Sequence, residues 1–239
     1  MIGTSQGQDR NKPAATIGFW AALLTAVLNV WFFVAFVPYL PNLFAPWQGL
    51  AAYAASFRPL PFLAWVVPCF FLAPIFLTMM TCLHAWTLEE KQTWSLLALV
   101  FAVVYATLLS ALYYLQMTVV RQNLVAGTTD GLSLWLYVYH PPYNIPGALE
   151  GVGYGFMSVS FLCAAQVFGK GKLQQWVRWT FVGIGLSGLV YPISQLFPLP
   201  SVLALVAVDG AAYALLGILA PVLLALLFRR STYRAVAVA

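Results

Sequence analysis

Two carboxyl groups lie in long apolar runs of this sequence, where a charge is costly. Glu150 follows Pro146 by four positions, and Asp209 lies within the run VAVDGAAYALLG. A carboxyl group in a low-dielectric site can donate a proton at neutral pH, act as a base, or take part in a proton relay. Both residues are therefore candidate catalytic groups, with Asp209 as the acid and Glu150 as the complementary base or charge stabiliser.

Phenol, amide and guanidinium side chains are predicted at a depth similar to that of the two carboxyl groups. Together they would form one polar cavity that opens toward the outer face of the membrane. The candidate substrate-binding residues are Tyr154, Tyr191, Tyr213, Gln116, Gln195 and Arg121. Structural roles are the alternatives: an ion pair of Glu150 with Arg121, a protonated and hydrogen-bonded Asp209, and glutamines that join helices.

The composition places these residues in a membrane protein. Of the 239 residues, 62% are hydrophobic and only 7% are charged, whereas soluble domains carry about 25% charged residues. This composition excludes a water-soluble globular protein. The net charge of +5 is therefore interpreted through membrane topology rather than as a sign of nucleic-acid binding. We expect one all-α domain over residues 1–239, a polytopic helix bundle in the cell membrane, with the bacterial inner membrane as the expected location.

Six apolar runs are long enough to cross a bilayer, which takes about 20 residues. The predicted spans are Ala14–Leu40, Leu60–Leu83, Trp94–Val120, Pro146–Phe168, Trp176–Phe197 and Val202–Phe228. The first run is too long for a cleaved signal, so it is predicted to be retained. Nine of the 11 Lys and Arg residues then lie on the side of both termini, which places both termini in the cytoplasm.

Two connections on the predicted outer side differ from simple turns. The segment from Pro41 to Pro59 is expected to form a short interfacial helix or to dip into the interface. The segment from Arg121 to Ile145 is long and aromatic. Its Trp and Tyr residues indicate an interfacial belt, or alternatively a lid over a pocket.

The start of the fourth span carries a capping signal and a regular glycine spacing. Asn144 can cap the helix, and Pro146 suits its first turn. Glycines then recur every fourth residue, a spacing that allows close helix approach, within the chain or in an oligomer. These glycines are Gly147, Gly151 and Gly155. Glu150 is predicted to lie at the edge of this packing face.

Several cofactor sites are excluded by their missing residues. The only histidines, His84 and His140, are predicted on opposite sides of the membrane, which argues against haem and zinc sites. All four lysines lie outside the spans, and no phosphate-binding loop is present. We therefore expect no metal, no cofactor and no nucleic acid, and we expect membrane lipid and a lipophilic small molecule as partners.

Two short runs resemble known families. The run ALEGVGYGFMSVSFLCAAQVF (Ala148–Phe168) resembles a span of functionally unassigned bacterial six-helix membrane proteins, and this resemblance implies no activity. The run VAVDGAAYALLG is similar to the last helix of small integral-membrane terpene cyclases, which would make Asp209 a catalytic acid. Those cyclases also carry a Trp-Glu pair in an early helix, and this chain has none.

Three functions remain open from the sequence. The first is the binding or conversion of a lipophilic molecule, such as proton-initiated cyclisation or isomerisation of an isoprenoid, which needs no metal. The second is proton-coupled transport, or service as the substrate-binding subunit of a transporter, although no discontinuous helix pair or inverted repeat is evident. The third is a structural membrane subunit.

Overall fold

The computed structural model describes residues 5–39, 41, 46–136, 144–197 and 200–236, and within these ranges the chain is helical with no strands. The helices are α1 (Ser5–Phe36), α2 (Leu50–Ser56), α3 (Pro59–Trp86), α4 (Gln92–Leu115), α5 (Arg121–Ala126), α6 (Ile145–Ala165), α7 (Lys172–Ser187), α8 (Val190–Leu196) and α9 (Pro200–Val236). A π-helical segment, Gln116–Val120, joins α4 to α5. The predicted all-α class is confirmed.

In the described part of the chain, five helical segments are long and apolar enough to cross a membrane. They are Pro13–Tyr39, Pro59–Trp86, Glu89–Ala126, Ile145–Ala165 and Asp209–Ser231. Large apolar side chains point outward from them; Val34, for example, is 71% exposed and Leu215 is 66% exposed. An apolar exterior of this kind fits lipid rather than water, so the chain is a multi-pass membrane protein.

The fifth predicted span, Trp176–Phe197, is not one continuous helix. It is divided into α7 and α8 by a turn at Gly188 and Leu189. Pro192 contributes to the break, because proline has no N–H to donate to the carbonyl of Gly188 one turn earlier.

The long elements pack in chain order around a ring. Six helices form the ring, in the order α1, α3, α4, α6, α7 and α9. Each helix contacts its two neighbours in this order, and α9 closes the ring against α1. Inside this ring of helices, aromatic side chains are in contact. The ring centroids of Phe76 and Tyr105 are 5.3 Å apart, and those of Phe76 and Phe161 are 5.1 Å apart. In a bilayer such dispersion contacts hold helices together, since lipid tails are as apolar as the side chains.

The two ends of the ring are built differently. At one end, here the Lys91 end, Nζ of Lys91 donates hydrogen bonds to the carbonyls of Val167 and Phe168, at 3.0 and 3.2 Å. The positive charge of Lys91 also interacts favourably with the C-terminal end of α6, which is the negative end of the helix dipole.

At the opposite end, the Trp135 end, a second apolar cluster joins α2, α5 and the turn Ser133–Trp135. The expected short helix between Pro41 and Pro59 is thus observed as α2. Burial raises the pKa of Tyr53 in this helix, so its phenol stays protonated. Of the aromatic 121–145 connection, Trp135 packs on this cluster, whereas residues 137–143 lie outside the described part of the chain.

Candidate functional site

Glu150 is positioned by the first turns of α6. The side chain of Asn144 accepts a hydrogen bond from the backbone N–H of Gly147 at 2.7 Å, which confirms the predicted N-cap. Pro146 stands in the first turn. With its start fixed in this way, the helix turns Glu150 inward, and only 7% of this side chain is exposed.

A tyrosine of α4 meets this carboxyl group. The hydroxyl of Tyr113 donates a hydrogen bond to Oε1 of Glu150 at 2.5 Å, and Tyr113 is itself buried. The hydroxyl oxygens of Tyr113 and Tyr154 are 3.4 Å apart. Because the single proton of Tyr113 points at Glu150, Tyr154 is the donor in this second contact. The three groups form a chain of hydrogen bonds from the carboxyl group toward the middle of α6.

Tyr154 is the centre of a tyrosine cluster. Its ring centroid lies 6.3 Å from that of Tyr105, 6.0 Å from that of Tyr191 and 6.2 Å from that of Tyr213. The structure therefore brings together three predicted site residues: Tyr154, Tyr191 and Tyr213. Tyr105 was missed, although it lies two helical turns before Tyr113 and so on the same face of α4.

Three tyrosines of the cluster, Tyr105, Tyr154 and Tyr213, form part of the wall of a cavity inside the ring, and Tyr191 lies outside its lining. The cavity has a volume of about 60 Å³, room for roughly four to six water molecules at about 10–15 Å³ each. All six elements of the ring contribute to its lining. The lining residues are Thr25, Asn29, Phe32, Phe33, Cys69, Leu72, Phe76, Tyr105, Tyr113, Tyr154, Met157, Phe161, Ile184, Tyr213, Gly217 and Pro221. Thr25, Asn29 and Cys69 are polar lining residues that the sequence analysis did not single out.

Asp209 occupies a different place from the one expected. It is half-buried and does not belong to the cavity lining. Oγ of Ser187, the last residue of α7, donates a hydrogen bond to its Oδ1 at 2.6 Å. A Cβ added to the neighbouring Gly188 would lie 3.4 Å from the ring of Tyr213 and would collide with Oγ of Ser158. The carboxyl group therefore lies at the break between α7 and α8, where α6 and α9 approach closely.

Two of the remaining predicted site residues stabilise the Trp135 end. Gln116 is fully buried, and its Nε2 donates to the carbonyl of Trp135 at 2.9 Å. Nε of Arg121 donates to the carbonyl of Met117 at 3.0 Å. Among the described residues, Arg121 forms no ion pair with Glu150, so the structural alternative of that pair is not the observed arrangement.

The glycine face of α6 packs against α8 of the same chain. A Cβ on Gly151 would lie 3.5 Å from Cγ of Gln195 and 3.7 Å from Cα of Pro192. Gly147 faces the hydroxyl of Tyr191 and Gly155 faces Pro192 in the same way. The predicted close approach is thus made within the chain, with Gln195 as a packing residue. An oligomer formed through these glycines would have to displace α8.

In the part of the chain that the structure describes, no three His, Cys, Asp or Glu side chains are grouped closely enough to hold a metal ion. Nδ1 of His84 lies 2.8 Å from Oγ of Ser95 at the Lys91 end, and His140 lies outside the described residues.

Comparisons with known protein families, curated proteins and solved structures find no match to this chain. The site must therefore be interpreted from its own geometry.

Proposed function

We propose that this membrane protein binds a small molecule in the cavity of the ring, and that Glu150 controls binding through Tyr113 and Tyr154. The observation that carries this proposal is the chain of hydrogen bonds from a buried carboxyl group into a cavity lined by every element of the ring. A buried acid that reaches a cavity through hydroxyl groups can adjust its protonation to the molecule bound there.

The lining supports a compact and mainly apolar ligand. Phe and Tyr rings form much of the wall, together with Leu72, Ile184 and Pro221. Polar groups are few, as in most small-molecule sites, where they orient the ligand. The volume of the cavity sets the size of the ligand to a group of a few heavy atoms.

The test is binding to the purified full chain in lipid nanodiscs, with thermal unfolding as the readout. Small neutral, cationic and anionic organic compounds would be screened for stabilisation. We expect at least one compound to raise the unfolding temperature of the wild type and to lose this effect in Gly217→Leu, which fills the cavity. Gly210→Leu on the same helix is the matched control, because a Cβ at Gly210 meets nothing within 4 Å. Stabilisation that persists in Gly217→Leu would contradict the proposed site.

Proton-coupled transport is a second candidate, favoured by the broken helix α7–α8. Discontinuous helices form the ion and substrate sites of many transporters, since their free backbone groups face the ligand. Here the break lies beside Asp209, which would be a second proton-binding group. Accumulation of a bound compound in proteoliposomes under a proton gradient, lost in Asp209→Asn, would support this function. Transport of the compound that is independent of the proton gradient would contradict this function.

Conversion of an isoprenoid remains a prediction, and it requires a larger binding site than the cavity described above. An isoprenoid chain is longer than the cavity, and Asp209 would have to come within reach of it. Turnover of an isoprenoid substrate by the wild type, lost in well-folded Asp209→Asn and Glu150→Gln variants, would support the enzyme. Turnover that survives both substitutions would remove these residues from the catalytic role. A purely structural subunit would show neither binding nor turnover.

A further inference from the structure

The polar side chains of α1 in the cavity offer two acceptors and one remaining donor, because Asn29 commits only one of its two amide N–H groups. Oγ1 of Thr25 donates its proton to the carbonyl of Ala21 at 2.9 Å, and Nδ2 of Asn29 donates to the carbonyl of Thr25 at 2.9 Å. The lone pairs of the Thr25 hydroxyl and the amide oxygen of Asn29 are left for other partners. Oδ1 of Asn29 lies 3.6 Å from the Cβ position of Gly217, another lining residue. It is therefore close to the cavity.

The hydroxyl protons of three lining tyrosines are also committed within the protein. Tyr113 donates to Glu150, Tyr154 donates to Tyr113, and Tyr213 donates to Sδ of Met157 at 3.9 Å. The lining also includes the hydroxyl of Tyr105 and the thiol of Cys69, which can donate. A ligand in the cavity therefore meets acceptors on α1 together with a few donors.

The lining favours a positive over a negative charge. Among the residues that the structure describes, no Lys, Arg or His lines the cavity. The faces of Phe and Tyr rings carry partial negative charge and attract cations. Glu150 is one hydrogen bond from the wall, through Tyr113. An anion would find no positive charge among the described lining residues, and a neutral hydrocarbon would leave the acceptors unused.

From these observations we infer that the ligand is a small organic cation, namely a protonated amine with compact alkyl substituents. Its N–H groups would donate to the oxygens of Thr25 and Asn29, while its alkyl groups would pack on the aromatic rings. Glu150 would balance the positive charge, which lowers the cost of placing a cation in the membrane. This inference rests on the proposed function, since it names the ligand class of the same cavity.

Three probes of similar shape separate the alternatives: tert-butylammonium, neutral tert-butanol and anionic pivalate. Binding to the full chain in nanodiscs would be measured by isothermal titration calorimetry. We expect tert-butylammonium to bind at least about tenfold more tightly than tert-butanol, and pivalate not to bind. Equal or tighter binding of tert-butanol would overturn the inference and leave the proposed function standing. If none of these probes binds and the wider screen finds no compound sensitive to Gly217→Leu, the proposed function itself fails.

Two variants test whether the preference for tert-butylammonium over tert-butanol arises in this cavity. Asn29→Leu removes an acceptor, and we expect it to weaken tert-butylammonium binding about tenfold. Asn123→Leu is the matched control, because Asn123 makes the same bond to the carbonyl four residues earlier, at 2.8 Å, outside the cavity. Phe76→Leu removes an aromatic face and should lower the preference for the cation over tert-butanol. An unchanged preference in both Asn29→Leu and Phe76→Leu would overturn the inference.

Discussion

Glu150 and Asp209 resemble each other in the sequence and differ in the fold. Each is a single carboxyl group near the predicted outer end of an apolar run. Glu150 is buried inside the ring, and Tyr113 and Tyr154 connect it to the cavity. Asp209 is half-buried, accepts a hydrogen bond from Ser187, and lies next to Gly210, which is exposed.

The difference shows that the role of an intramembrane acid depends on its neighbours more than on its depth. Glu150 meets a hydroxyl group that belongs to a chain of hydrogen bonds leading into the cavity. Asp209 meets the last residue of a helix that ends at a break, so it joins α7 to α9. The following experiments test this contrast, from the largest expected effect to the smallest.

The largest effect is expected at the break beside Asp209. Gly188→Val should destabilise the protein by about 3 kcal/mol, because the added side chain would collide with Ser158 and press on Tyr213. The measurement is denaturant-induced unfolding in mixed detergent micelles. Gly210→Val, which follows Asp209 itself, has open space around it and should change stability by less than about 0.5 kcal/mol. Equal costs for the two variants would show that the break is not closely packed.

A smaller effect is expected at the buried carboxyl group. Tyr113→Phe should cost about 2 kcal/mol of unfolding free energy, since it removes a donor from a buried acceptor, a loss of about 1–3 kcal/mol. Tyr114→Phe is the control, because the adjacent Tyr114 is 56% exposed on the outside of the ring. The same unfolding assay applies. If the two variants cost the same, Glu150 does not depend on Tyr113.

The smallest effect is expected for the hydrogen bond at Asp209. Ser187→Ala should cost less than about 1 kcal/mol, because water can reach a half-buried carboxyl group and replace the lost donor. A double-mutant cycle with Asp209→Asn measures the coupling directly. The corresponding cycle of Tyr113→Phe with Glu150→Gln should give the larger coupling. A reversed order would refute the contrast drawn between the two acids.

Much of the fold could be predicted because it depends on local composition. Long apolar runs predict membrane-crossing helices, and Asn144 followed by Pro146 predicts where α6 begins. The glycine spacing predicts a close helix contact on the face that packs against α8. Tyr154, Tyr191 and Tyr213 could be grouped because they lie at a similar depth on successive helices. The break at Gly188 could not be predicted from Pro192 alone, because Pro68, Pro74 and Pro221 lie inside helices that continue past them.

The contacts of the site could not be predicted in the same way. Tyr113 and Glu150 are 37 residues apart, and many polar residues lie at the same depth. Periodicity places each side chain on a face of its own helix, and it does not say which helix that face meets. For this reason Arg121 was a reasonable partner for Glu150 in the sequence, although its guanidinium bonds to the carbonyl of Met117 instead.

By itself, the sequence determined that this chain is an all-α membrane protein, because backbone groups in lipid must be satisfied within each apolar segment. It also determined that two acids would lie among apolar residues. Only the tertiary structure decided that α9 closes the ring against α1 and encloses a cavity, and that Glu150 reaches this cavity through Tyr113 while Asp209 lies at the break. These outcomes depend on packing between distant segments, where side-chain shape and the break at Gly188 and Leu189 determine which surfaces meet.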